Sequence, residues 1–259
     1  MSKIQINNVE LYYDEHGSGS EPIVFVHGFL VSSKMWHDLY ISRLPAKYHA
    51  YAMDMRGHGQ SNQIKHGCNL VQLADDVYQF SQQLQLGPFL YVGVSMGGGV
   101  GVQLALDHPE VLRGLVLMNT VTGFGLLGPP LSMALFRLMA GKRWFLKMML
   151  KSAFKRPPSD HTMRLFLNEA MLVSKETFTE WTHPNNCMRH FERLSHVKVP
   201  TLVMIGGKDT VIPVDGHHRL ADTLPNAEKA VFEDEGHMMG AEIPEDVFTA
   251  MDAFLEQLP

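Results

Sequence analysis

Ser95 stands in Gly93-Val94-Ser95-Met96-Gly97, directly behind the apolar run Phe89-Leu90-Tyr91-Val92 and ahead of a small-residue helical stretch. A serine between two such glycines, where a strand passes into a helix, has the pattern of a nucleophile elbow. The tight turn needs neighbours without bulky side chains, and it lifts the hydroxyl clear of the sheet edge. A hydroxyl becomes a good nucleophile only when a neighbouring base accepts its proton. Of the fourteen histidines, His237 has the setting for that base, because Glu235-Gly236-His237-Met238 lies between a strand and the last helix. A carboxylate must then fix the imidazole tautomer and stabilise its charged form. Asp209, in Gly206-Gly207-Lys208-Asp209 just after the apolar run 201–205, meets that need. Asp234 is a poorer candidate, since it lies too close to His237 along one strand. Such a set performs acyl transfer.

Acyl transfer also needs two backbone N–H groups aimed at the oxyanion. The amide of Met96 follows the nucleophile at the start of a helix, where negative charge is welcome. The amide of Phe29, in His27-Gly28-Phe29-Leu30 after the run 23–26, is the second candidate, with Gly28 allowing close approach. His27 is read as a structural hydrogen-bonding group at the base of that loop. Phe29, Leu30, Met96 and Met238 are expected to form the floor of the substrate pocket.

Positioning these residues requires regular alternation of strand and helix. Runs 3–6 and 9–13 alternate as an antiparallel hairpin turned at Asn7-Asn8. The continuous apolar run 23–26 suits a strand buried on both faces. Helix 33–44, strand 50–55, helix 70–84, strand 89–94, helix 97–107 and strand 114–118 follow, then strand 201–205, helix 216–224, strand 230–232 and helix 244–258. This order predicts one α/β unit, a mostly parallel eight-stranded sheet with helices on both faces. Between 121 and 196 the alternation stops and helical periodicity takes over, so residues 1–120 and 197–259 read as core and 121–196 as a helical cap inserted after the sixth strand. Ligands in open α/β sheets bind at the edge such a cap would cover.

The chain has 259 residues, 45% hydrophobic and 19% charged, which suits a soluble globular protein with a large core. A net charge of -5 gives no overall reason to expect nucleic acid as a partner. With two cysteines, no apolar leader and no apolar run of roughly 18 residues, the expected location is the cytoplasm. The grouping of His183, Cys187 and His190 lacks a fourth ligand, and serine chemistry calls for no metal or cofactor, so none is expected.

The motifs His27-Gly28-Phe29, Asp54-Met55-Arg56-Gly57-His58-Gly59-Gln60-Ser61, Gly93-Val94-Ser95-Met96-Gly97-Gly98, Gly207-Lys208-Asp209 and Gly236-His237 together resemble the α/β-hydrolase superfamily, above all its small-esterase, lactonase and C–C-hydrolase branches. The resemblance spans the chain apart from the cap. It implies Ser95 as nucleophile, Asp209 as orienter and His237 as base then acid, in the family's chain order. It also implies a structural role for 54–61, including Arg56 and His58. Some relatives carry their acid after the preceding strand, but this chain has Asn119 there. C–C hydrolases of this group usually carry Trp after the histidine, and many read Gly-Asn-Ser at the elbow, where this chain has Met238 and Val94.

The cap begins with a stretch from Val121 to Ser159 that holds seven basic residues (Arg137, Lys142, Arg143, Lys147, Lys151, Lys155 and Arg156) and no Asp or Glu. Aromatics, leucines and methionines are interleaved with them. Three readings apply: an apolar underside with a solvated basic face, weak contact with an anionic lipid or micelle surface, and steering of an anionic substrate. All favour a lipophilic acyl pocket, since methionines adapt to varied apolar ligands. The expected function is hydrolysis of an apolar carboxylic ester or lactone, a small molecule. A C–C hydrolase or lyase, a perhydrolase, and a triad-bearing ligand receptor with little turnover are the alternatives.

Overall fold

The computed structural model describes residues 2–121, 137–183 and 191–258. Strands β1 (Ser2–Ile6) and β2 (Val9–His16) form the expected hairpin, with Asn7 at φ 49° in the turn. The other strands are β3 (Glu21–Val26), β4 (Tyr48–Met53), β5 (Phe89–Val94), β6 (Leu112–Met118), β7 (Thr201–Gly206) and β8 (Ala227–Phe232). They form one eight-stranded sheet in the order β1-β2-β4-β3-β5-β6-β7-β8. Its pairings are antiparallel from β1 to β4 and parallel from β4 to β8. The second strand runs three residues beyond its apolar alternation because Tyr13–His16 pairs with β4. Every residue of β5 and β7 is buried, as expected for central parallel strands covered on both faces.

Helices α1 (Lys34–His37), α2 (Leu70–Gln83) and α3 (Met96–Asp107) lie in the first half of the chain. The continuous helix expected over 33–44 is instead the single turn of α1 followed by a 3-10 turn at Ile41–Arg43. Tyr40 leaves helical geometry at φ -136° and sends its buried hydroxyl to the carbonyl of Gly240, 2.9 Å away. Trp36, likewise fully buried, packs against Phe25 of β3. Tertiary contacts of these two aromatics override the local helical pattern.

Between β6 and β7 the described residues form α4 (Arg143–Ala153), α5 (Asp160–Leu172) and α6 (Lys175–Trp181), with a 3-10 turn at Phe191–His196. Ser159 and Ser174 cap α5 and α6 by accepting the amides of Thr162 and Thr177. In α4, Phe145, Leu146 and Leu150 are buried, while Lys142, Arg143, Lys147 and Lys151 face outward beside exposed Trp144 and Met148. Helices α7 (Val214–Thr223), α8 (Met239–Glu242) and α9 (Pro244–Leu255) complete the core. Two apolar clusters fill the two sides of the sheet; the buried apolar residues of α4 and α5, with Phe178 of α6, join the one containing Trp36, Leu30 and Met239, while Trp181 joins the other. Among the described residues, no helix is long and apolar enough to cross a membrane.

Candidate active site

The turn between β5 and α3 is built by close backbone packing. A Cβ on Gly97 would fall 2.7 Å from the His27 carbonyl oxygen and closer still to that of Val26, and one on Gly93 would fall 2.5 Å from the Gly97 oxygen. Only glycine fits at either place. Ser95 itself adopts φ 52° and ψ -113°, a conformation that costs a non-glycine residue on the order of 1–3 kcal/mol. Its carbonyl accepts the amides of Gly99 and Val121, and its amide donates to Met118. These bonds hold the strained residue in place.

The expected catalytic residues converge. His237 Nε2 lies 3.1 Å from Ser95 Oγ, and His237 Nδ1 lies 2.7 Å from Asp209 Oδ2. An ionised carboxylate only accepts, so Nδ1 carries the proton and Nε2 is free to receive that of the serine. Asp209 Oδ1 accepts the amides of Val211 at 2.7 Å and Ile212 at 3.0 Å. Burial alone would push the Asp209 carboxyl up, but hydrogen bonds from His217, His237 and the Ile212 amide hold it well below the usual carboxylate range. Asp234 is exposed and paired with Lys208, so it is Asp209 that reaches the imidazole.

The amides of Phe29 and Met96 donate to no other group among the described residues and remain available to an anion. The Phe29 ring rests against His58, Phe178 and Trp181, so helix α6 borders the loop. Leu30 is buried at φ 66°, Met96 is buried, and Met238 is partly exposed beside His237.

The motif residues read as structural are found in structural contacts. His27 Nδ1 donates to the Gly28 carbonyl at 2.7 Å while its Nε2 accepts the Met55 amide at 3.0 Å, which defines a neutral ring. Asp54 accepts the amides of Ser33 and Gln60, each at 2.7 Å. Arg56 forms a two-pronged 2.5 Å pair with Asp76, both buried. Of the grouping considered for a metal, Cys187 and His190 lie outside the described residues.

Two contributors were not found by sequence reasoning. The sequence marks Asn119 only as the wrong residue for a catalytic acid. Its Nδ2 donates to the carbonyls of Gly236 and His237, each at 3.0 Å, and its Oδ1 accepts the Gly206 amide at 2.8 Å. It ties the histidine loop to the end of β7. His217, on α7, lies with Nε2 3.2 Å from Asp209 Oδ2. Its spacing from Asp209 carries no signal that sequence alone could read.

The sheet topology, the elbow and the converging Ser95, His237 and Asp209 define an α/β hydrolase. The family described as "Serine aminopeptidase, S33" (Hydrolase_4) matches residues 19–243, and the chain belongs to it. A relative from Acinetobacter baylyi, (E)-2-((N-methylformamido)methylene)succinate hydrolase, is 26% identical over 98% of this chain and 97% of its own length. Non-heme chloroperoxidase CPO-A1 of Kitasatospora aureofaciens is 28% identical over 89% of this chain and 90% of its own. The solved structure of Est816, described as an N-acyl homoserine lactone degrading enzyme, superposes with a TM-score of 0.85 at 28% identity, covering 98% of this chain and 100% of that one.

Proposed function

We propose that this hydrolase cleaves a carboxylic ester or lactone of moderate size and apolar character through an acyl-enzyme on Ser95. The observation that carries the reading is the unbroken relay from Ser95 Oγ through His237 to Asp209, at 3.1 Å and 2.7 Å. His237 Nε2 takes the serine proton as Oγ attacks the carbonyl carbon. The amides of Phe29 and Met96 donate to the oxyanion that forms. The imidazolium then passes its proton to the departing alkoxide. Water, deprotonated by the same Nε2, attacks the acyl-enzyme, and collapse of the second tetrahedral intermediate frees the acid and returns the proton to Ser95. Asp209 stays ionised throughout and keeps Nδ1–H pointed at itself.

Residues 121–196, of which 122–136 and 184–190 lie outside the described residues, act in this reading as a cap, with Phe178 and Trp181 against Phe29 supplying an apolar wall beside the oxyanion loop. Such a wall suits an acyl chain. The solvated basic face of α4 is its outer side, and exposed Trp144 and Met148 fit weak contact with a lipid surface.

The test is turnover of p-nitrophenyl esters from acetate to palmitate, together with several lactones, by the wild type and Ser95→Ala. Wild-type activity centred on medium chains, a fluorophosphonate adduct on Ser95 and loss of both in Ser95→Ala are expected. Near-normal turnover by Ser95→Ala overturns the assignment. Similarity to a chloroperoxidase adds a second reading, in which hydrogen peroxide replaces water and a peracid is released. Peracid formation in the same assay distinguishes the two.

A further inference from the structure

Two imidazoles share one oxygen of Asp209. Oδ2 lies 2.7 Å from His237 Nδ1 and 3.2 Å from His217 Nε2. His217 is completely buried on α7 and takes no part in the relay described above. Facing an ionised carboxylate, its Nε2 must carry the proton, which leaves Nδ1 as an acceptor. That Nδ1 is buried with no hydrogen-bond partner among the described residues. An unmatched acceptor in the core is destabilising, and an aliphatic side chain of similar size would avoid it. What the imidazole supplies that an aliphatic chain cannot is one N–H directed at Asp209.

The remaining titratable groups on α7 and β8 lie wholly or partly toward solvent, while Glu235, on the loop that carries His237, is buried. Asp215, Arg219 and Asp222 on α7 are exposed and His218 is partly so. Strand β7 carries no titratable side chain, and Glu228 and Lys229 on β8 are exposed, as is His196, with Arg193 partly buried, on the 3-10 turn beneath. Lys208 is committed to Asp234, and Glu235 to Arg156. Asp209 is therefore held between His217 and His237, with the Val211 and Ile212 amides on its other oxygen.

We propose that His217 is a positioning residue of the relay: its Nε2–H fixes the Asp209 carboxylate and draws charge from the oxygen shared with His237. This rests on reading Ser95, His237 and Asp209 as the catalytic set. The sign of the effect follows from the sharing. With the His217 bond removed, more of the carboxylate's charge is felt by His237, whose proton affinity rises. The acid limb of kcat/KM then moves to higher pH. The carboxylate also loses one of its anchors, so kcat falls while KM, set by the pocket, stays near its wild-type value.

The experiment compares full-length wild type, His217→Leu, His217→Gln and His217→Asn with the best p-nitrophenyl ester. For His217→Leu the expected result is a roughly ten- to hundredfold lower kcat, the range for losing a hydrogen bond to a charged group. KM should stay within about twofold, and the acid limb should shift upward. His217→Gln, whose amide N–H reaches a similar distance, is expected to recover part of the kcat and return the limb toward its original position. Wild-type kcat together with an unmoved acid limb in His217→Leu overturns the proposal. If the leucine variant does not fold, the two amides decide: the shorter Asn must show the loss that Gln relieves, and equal behaviour of the two overturns it. Turnover that survives Ser95→Ala would strike the catalytic reading itself, whereas an inactive Ser95→Ala beside a wild-type-like His217→Leu strikes only this inference.

Discussion

At the scale of single residues, the site depends on which atom holds each proton. Asp209 receives four donors, two amides on Oδ1 and two imidazoles on Oδ2, so its carboxylate is fixed in orientation as well as charge. Replacing it with asparagine keeps the size but adds a donor face, and the amide no longer requires a proton on His237 Nδ1. The wrong tautomer then leaves Nε2 protonated and unable to accept from Ser95. For Asp209→Asn we expect kcat to fall by roughly 10³- to 10⁴-fold. Steady-state ester kinetics at neutral pH measure it, and a loss smaller than tenfold would show that the carboxylate does not set the tautomer. Asn119 works at the same scale without touching a reacting group, since its three hydrogen bonds hold the loop on which His237 rides.

At the scale of elements, the placement of Ser95 is a property of the β5–α3 junction rather than of its side chain. The Tyr91 hydroxyl donates to the Gly97 carbonyl at 2.5 Å, and Gly97 packs directly on the end of β3. A methyl group there meets backbone carbonyls of Val26 and His27, which cannot turn aside as a side chain would. Gly97→Ala should therefore lower unfolding free energy by about 3 kcal/mol, the upper part of the usual range for overpacking. Urea midpoints check this, and a change below about 1 kcal/mol would mean that β3 and α3 separate easily. The same scale explains the broken helix after β3. Its periodicity was legible, but Tyr40 and Trp36 find buried partners in α8 and β3 that a continuous helix could not reach.

At the scale of the whole molecule, several ionisable groups sit in the core, and their burial makes stability depend on pH. His27 and His58 are fully buried 5.2 Å apart, and burial lowers them from 6.5 to about 4 and about 3. Between pH 6.5 and those values the unfolded chain binds protons that the folded one refuses, so stability falls as the medium is acidified. Each ring contributes a loss of about 2 kcal/mol by pH 5. Asp209 adds nothing in that window, because a depressed carboxyl loses its contribution only below the unfolded value of 3.8. The raised carboxyls of Asp54 and Asp76 act in the opposite direction above 3.8 and offset part of the loss. The melting temperature is expected to fall from pH 7 to pH 5, with a smaller drop in His58→Gln. A melting temperature independent of pH across that interval would contradict the neutral, buried assignment of the two rings.

The alternation of strand and helix, the elbow and the candidacy of Asp209 and His237 could be read from the chain because each is written locally. Apolar runs of four to six residues mark the buried strands, and the small residues around Ser95 mark a turn that tolerates nothing larger. Histidine and aspartate in loops after consecutive strands follow from a parallel sheet, whose strand ends all lie along one edge. What the linear order could not contain was which side chains meet across it. Asn119 lies next to the His237 loop, 117 residues away, and His217 faces Asp209 only because α7 folds back against β7. Hydrogen bonds of this kind depend on directions set by packing, and packing is a property of the assembled sheet and helices. Sequence alone pointed to acyl transfer at Ser95; the tertiary structure decided which groups stand around Ser95, His237 and Asp209 and hold them in place.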